Sequence, residues 1–151
     1  MSVAAAEVQG PRKRALTVAG SDPAGGAGIQ ADLKVFAAHG VHGLSVLTAV
    51  IAQATRGVRS LWEVPVAMVT AQLEAVLEDI GTDVIKSGAL VSGAHVAAVV
   101  DVLGPTEVPW IVDPVMSSSS GRLLLDEVGR HLLIERLLPR ATLFTPNAPE
   151  L

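Results

Sequence analysis

The stretch Ala15-Leu16-Thr17-Val18-Ala19-Gly20-Ser21-Asp22-Pro23-Ala24-Gly25-Gly26-Ala27-Gly28-Ile29-Gln30-Ala31-Asp32 decides the fold class. Residues 15–19 form a short apolar run that ends at Gly20, as a buried strand would. From Gly28 onward Ile29, Leu33 and Phe36 recur at three to four residues until Gly40, which predicts a helix. Strand, glycine-rich loop and helix in that order make a βα unit. The glycines permit positive φ and close approach of backbone to a ligand, and the helix end offers free N–H groups. The plain alternative is a tight turn that needs permissive residues.

The same alternation continues along the chain. Residues 44–52 are apolar and β-branched and read as one buried strand, with a shorter strand at 58–64. Pro65 fits a first helical position, after which Val66, Val69, Leu73, Val76, Leu77 and Ile80 share one face up to Gly81. Strand 84–86, helix 92–103, strand 110–112, a helix over 126–137 stopped by Pro139, and strand 142–144 complete the series. Alternating strands and helices imply a mostly parallel sheet flanked by helices, with ligands gathered at the carboxyl ends of the strands. The fold class is therefore α/β. Residues 145–151 begin a loop after a strand and stop there, which suggests a C-terminally truncated domain.

Composition agrees. The 151 residues suit one domain, 50% are hydrophobic and 17% charged, so disorder does not describe most of the chain. With 3% aromatics and no Tyr, the core must be Val, Leu, Ile and Ala. A net charge of −4 argues against non-specific attraction to nucleic acid or anionic membrane and favours a small-molecule partner. The absence of Cys excludes disulfides and thiolate metal sites within this sequence. Every apolar stretch is too interrupted to span a membrane. Residues 1–14 carry their Arg12-Lys13-Arg14 cluster after the apolar run, the reverse of a secretory signal, and read as a disordered tail on a cytoplasmic protein.

Several loops could carry chemistry. Residues 26–31 satisfy a relaxed dinucleotide fingerprint, but no acidic ribose ligand follows in 47–52, and no Gly-Lys-Ser/Thr phosphate loop exists. Asp32, one turn into the first helix, and Gln53, at the end of the second strand, could face one crevice and read the edge of a polar heterocycle. An exposed helical Asp and a turn-bonded Gln are the bland alternatives. Asp113, Asn147 and Glu150 sit at or just past strand ends, and their oxygens suit magnesium bridging to phosphates; capping and turn roles compete with that reading. Lys86 could offset phosphate charge or snorkel to solvent. His39, His42, His95 and His131 show no metal or triad pattern.

Residues 15–34, 48–58, 84–88, 112–116 and 145–150 together resemble hydroxymethylpyrimidine/phosphomethylpyrimidine kinases of thiamine biosynthesis, within the ribokinase-like vitamin kinases. The resemblance covers nearly all of the chain after the tail. It implies a ribokinase-like domain over 15–151 that uses ATP and Mg2+ to phosphorylate 4-amino-5-hydroxymethyl-2-methylpyrimidine and then its monophosphate. By the same resemblance Gly20, Asp32 and Gln53 would hold the pyrimidine, and Asp113, Asn147 and Glu150 would organise magnesium, through water, and phosphates. Ala89 stands where the family usually has Met, which loosens one pocket wall. Ser117 to Ser120 fill a loop where the family usually has Lys, leaving Arg122 to return that charge. The family's glycine-rich anion hole and catalytic residue would lie beyond Leu151, so the 151 residues alone are expected to be inactive. A pyridoxal or pyridoxine kinase and a non-catalytic pyrimidine-binding module or degenerate fragment remain open, as does assembly into a homo-oligomer.

Overall fold

A computed structural model describes residues 12–118 and 121–150. Strands β1 (Arg14–Ala19), β2 (His42–Leu47), β5 (Val84–Ser87), β6 (Trp110–Val112) and β7 (Leu143–Phe144) form one sheet in the order β2-β1-β5-β6-β7. Every neighbouring pair is parallel. Strands β3 (Ala49–Ala54) and β4 (Gly57–Glu63) pair antiparallel as a separate hairpin. Helices α1 (Gly28–Ala38), α2 (Val66–Asp79), α3 (Gly93–Leu103) and α4 (Glu127–Leu132) connect the strands. The expected α/β class with a mostly parallel sheet is what the chain adopts.

The central strand β1 is buried on both faces from Ala15 to Ala19, while burial in β5 and β6 alternates with the strand period of two. Leu16 and Val18 of β1, Ile85 of β5 and Val112 of β6 are fully buried and join one core with Val69 and Leu73 of α2 and Val96, Val99 and Leu103 of α3. The spacing of those helical residues puts them on one stripe, which is why α2 and α3 lie against this face. Asp126 draws α4 into place: its Oδ1 accepts from Gly129 N at 2.5 Å as a helix cap and from Gly93 N, at the start of α3, at 3.0 Å. The opposite face carries α1, none of whose residues is fully buried. At the entrance to the sheet Arg14 donates to Asp83 from its backbone N–H and its guanidinium, with Nη2 to Oδ1 at 2.8 Å.

Four expectations are corrected. The run 44–52 is two strands: the chain leaves the sheet at Thr48, whose N–H donates to Ala19 and whose hydroxyl donates to the Ala89 carbonyl at 2.7 Å, and continues into the hairpin. Pro65 is the residue before α2 rather than its first, held out of the helix by a ψ of 135°. The helix over 126–137 is α4 followed by a wider π-type segment, Leu133–Leu137, which buries Leu133 and Leu137, and Pro139 sits inside a 3-10 turn, Leu138–Arg140. Arg14, read as tail, opens β1. The rest of the tail up to residue 11 lies outside the described residues, as do Ser119 and Ser120.

Candidate functional site

The loop after β1 is built around one carboxylate. Asp22 is 3% exposed, and its oxygens accept from the N–H groups of Ala24 at 2.9 Å, Gly26 at 2.9 Å and Ala27 at 2.8 Å. Its own N–H donates to Gln30 Oε1 at 2.7 Å. Burial alone would push the Asp22 carboxyl up, but the Gln53 amide and these backbone N–H groups outweigh it and hold its pKa below the ordinary range. These loop amides therefore point at an internal anion rather than at a ligand, contrary to the expectation of free donors. Gly28 closes the loop at φ 57°, where an added Cβ would lie 2.3 Å from the Gly20 carbonyl oxygen.

The hairpin packs onto this loop. Ser21 N–H donates to the Ala49 carbonyl and Ser21 Oγ accepts from Ile51 N–H, both at 2.9 Å. A Cβ on Gly20 would sit 2.9 Å from Ile51 Cδ1, so glycine lets the two backbones approach. The hairpin register shifts between Ala52 and Gln53, and Gln53 lines the resulting pocket. That pocket has a volume of about 440 Å³ and brings Gly20, Asp32, Gln53, Lys86, Ala89 and Asp113 together at the carboxyl ends of the strands. Of the sequence-predicted residues, Gly20, Asp32, Gln53, Lys86 and Asp113 thus share one cavity.

Asp32, 14% exposed, projects from α1 between two sheet residues. Thr17 Oγ1 donates to its Oδ2 at 2.6 Å, and Lys86 Nζ donates to Oδ1 at 2.9 Å and to Oδ2 at 3.0 Å. Lys86 also lies 3.7 Å from Asp113 Oδ2. In this structure its ammonium is shared between two carboxylates. Burial pushes the Asp113 carboxyl up; Lys86 opposes the shift, while Glu150 and Asp32 add to it.

The remaining predicted residues lie outside this cavity. Glu150 accepts from Met116 N–H at 3.3 Å and from Asn147 N–H at 3.1 Å, so it closes the final turn while adding negative charge near Asp113. Asn147 is exposed and enters through its backbone. Arg122 is exposed and lines a different cavity, with Leu61, Glu63 and Leu125. His95 is the buried histidine: Nε2 meets the Val64 carbonyl at 2.7 Å and Nδ1 meets Ser92 Oγ at 2.6 Å, a structural arrangement. The sequence reading missed Asp22 and Thr17. An Asp just before a glycine-rich turn is the local signal for the first; Thr17 has no local signal, because its partner is fifteen residues away.

Comparison with known proteins places this geometry. The phosphomethylpyrimidine kinase family matches over residues 22–151. A hydroxymethylpyrimidine/phosphomethylpyrimidine kinase of Streptomyces coelicolor is 52% identical over 135 residues, 89% of this chain and 50% of that protein. The Escherichia coli enzyme of the same name is 47% identical over 140 residues, 92% of this chain and 53% of its own length. The chain spans about half the length of the curated relatives it matches. Among solved structures, phosphomethylpyrimidine kinase from Clostridium difficile superposes with a TM-score of 0.85 at 44% identity, over 92% of this chain and 61% of that one. Pyridoxal kinase from Staphylococcus aureus, in complex with AMP-PCP and pyridoxal, gives 0.78 at 35% identity, over 91% and 49%.

Proposed function

Because the chain belongs to the phosphomethylpyrimidine kinase family, we propose that its strand-end pocket holds 4-amino-5-hydroxymethyl-2-methylpyrimidine for phosphorylation by ATP, first at the hydroxymethyl group and then at the monophosphate. The observation that carries this reading is the convergence of Gly20, Asp32 and Gln53 in one cavity, with Asp113 also lining it. Asp32 accepts an N–H from the ring substituent, Gln53 supplies amide donor and acceptor, and the Gly20 backbone lets the flat ring approach. The substrate oxygen attacks the γ-phosphorus, the new O–P bond forms as the bond to the leaving ADP breaks, and positioning carries much of the catalysis.

Magnesium would be held beside Asp113, the one of its proposed ligands that lines the pocket, with Glu150 and Asn147 just outside that lining. Burial raises the Asp113 pKa, Lys86 opposes the shift, and Glu150 and Asp32 add to it, so the carboxylates gathered around one ammonium repel one another and a cation beside Asp113 would ease that repulsion. One or two carboxylates plus substrate phosphates are the usual magnesium environment, the rest being water. Asp113 and Glu150, with Asn147 beside them, are the residues proposed to hold it, and when bound it neutralises charge on the phosphates. A cytoplasmic location suits a cysteine-free chain that would use ATP.

Likeness to a pyridoxal kinase that was solved with pyridoxal supports a second reading, in which the pocket takes a pyridine vitamer. Calorimetric titration of the purified chain with each compound separates the two. The pyrimidine is expected to bind tighter, and Gln53→Ala should cost about 1–3 kcal/mol of that binding by leaving a polar edge unpaired. Tighter binding of pyridoxal would replace this reading with the second.

A further inference from the structure

We propose that Thr17 and Lys86 are positioning residues that fix the Asp32 carboxylate so that one acceptor direction remains for the ligand, which makes the pocket selective for a ring whose amine donates one N–H to it. The inference rests on the proposed substrate class and assigns the origin of its selectivity. An ionised carboxylate offers about four lone-pair directions. Three are occupied in this fold, one by the Thr17 hydroxyl and two by the Lys86 ammonium.

The partners come from rigid elements. Thr17 lies in β1 and Lys86 opposite it in the paired strand β5, at the register Thr17↔Lys86. Thr17 is fully buried, and Lys86 and Asp32 are largely shielded, so neither donor is free to swing away without leaving a polar group unpaired. Asp32 reaches down from α1 onto this pair. A short buried hydroxyl at 2.6 Å and an ammonium that bridges both oxygens set the plane of the carboxylate as well as its position. Because the ammonium is shared with Asp113, it also ties the ligand-reading carboxylate to the carboxylate proposed to face phosphate.

The test compares 4-amino-5-hydroxymethyl-2-methylpyrimidine with the analogue in which hydrogen replaces the amine, by calorimetry on the purified chain. The parent should prefer the amino compound. Thr17→Val, which keeps shape and loses the hydroxyl, and Lys86→Met should each reduce that preference about tenfold, through weaker binding of the amino compound with little change for the analogue. Thr17→Ser, which keeps the hydroxyl and loses the methyl, should retain the preference even where it lowers thermal stability. A merely structural role predicts parallel losses for both ligands, and with the same melting-temperature loss in Thr17→Ser and Thr17→Val. Parallel loss, or an unchanged preference in Thr17→Val, overturns the proposal. If Lys86→Met does not fold, the Thr17 pair decides. A parent that binds neither compound contradicts the substrate reading itself and this proposal with it.

Discussion

The two faces of β1 and β5 share a backbone and do opposite work. On one face Leu16, Val18 and Ile85 are buried against α2 and α3, where each side chain gains by leaving water and packing at crystal-like density. On the other face Thr17 and Lys86 hold Asp32 at the rim of the pocket, where every polar atom has to be matched. Stability is concentrated on the first face. On the second face Ala15, Thr17 and Ala19 of β1 are buried as well, but α1 has no fully buried residue, and the hydrogen-bonded constellation there opens onto the pocket. Neighbouring residues of one strand thus serve folding and recognition in turn.

The largest effects are expected on the core face. Leu73→Ala, at a position with no exposure, should lower unfolding stability by about 2–5 kcal/mol in denaturant titration. A cost within the range of a surface substitution would deny that this face carries the stability. Next comes Asp22→Ala, which strips three backbone N–H groups of their acceptor in the loop between the faces. It should cost about 1–3 kcal/mol and weaken pyrimidine binding as well, since the loop seats the hairpin that bears Gln53. Loss of stability with binding intact would show that the loop does not shape the pocket.

A smaller effect concerns pH. The Asp83 carboxyl is lowered to about 2, first by the side-chain hydrogen bond from Arg14 and then by the Arg14 N–H. A depressed carboxyl contributes stability that is fully present above the ordinary aspartate pKa of about 4 and is lost as pH falls toward 2. Asp83→Asn should therefore flatten the melting-temperature decline across that window while lowering the plateau near neutral pH slightly, because the pair is partly exposed. An unchanged acid limb would contradict it. The smallest expected effect is Trp110→Phe: the buried indole Nε1 has no hydrogen-bond partner among the described residues, so removing that orphan donor offsets part of the packing lost.

Much of this was legible in the sequence because it is periodic or punctuated. The βα alternation, the face of α2 and the turn glycines follow from local spacing, and the strand-end placement of Asp113 and Lys86 follows from the alternation. The split of 44–52 was hidden because both halves are apolar and β-branched, so nothing in the run marks the change of sheet at Thr48. The glycine-rich loop misled for a related reason. Its N–H groups look free until the buried Asp22 is seen to accept three of them. In the Thr17, Lys86 and Asp32 cluster Lys86 bonds a carboxylate 54 positions before it and lies beside the still more distant Thr17, a relation that only the parallel register of β1 and β5 creates.

If the polar face and its hairpin form the ligand site, backbone amide NMR of the isotope-labelled chain titrated with 4-amino-5-hydroxymethyl-2-methylpyrimidine will locate it there. The account predicts the largest shifts at Gly20, Asp32, Gln53, Lys86 and Ala89, with α2 and α3 little changed. Shifts centred instead on Leu61, Arg122 and Leu125, which line the other cavity, or no saturable shifts at all, would contradict it.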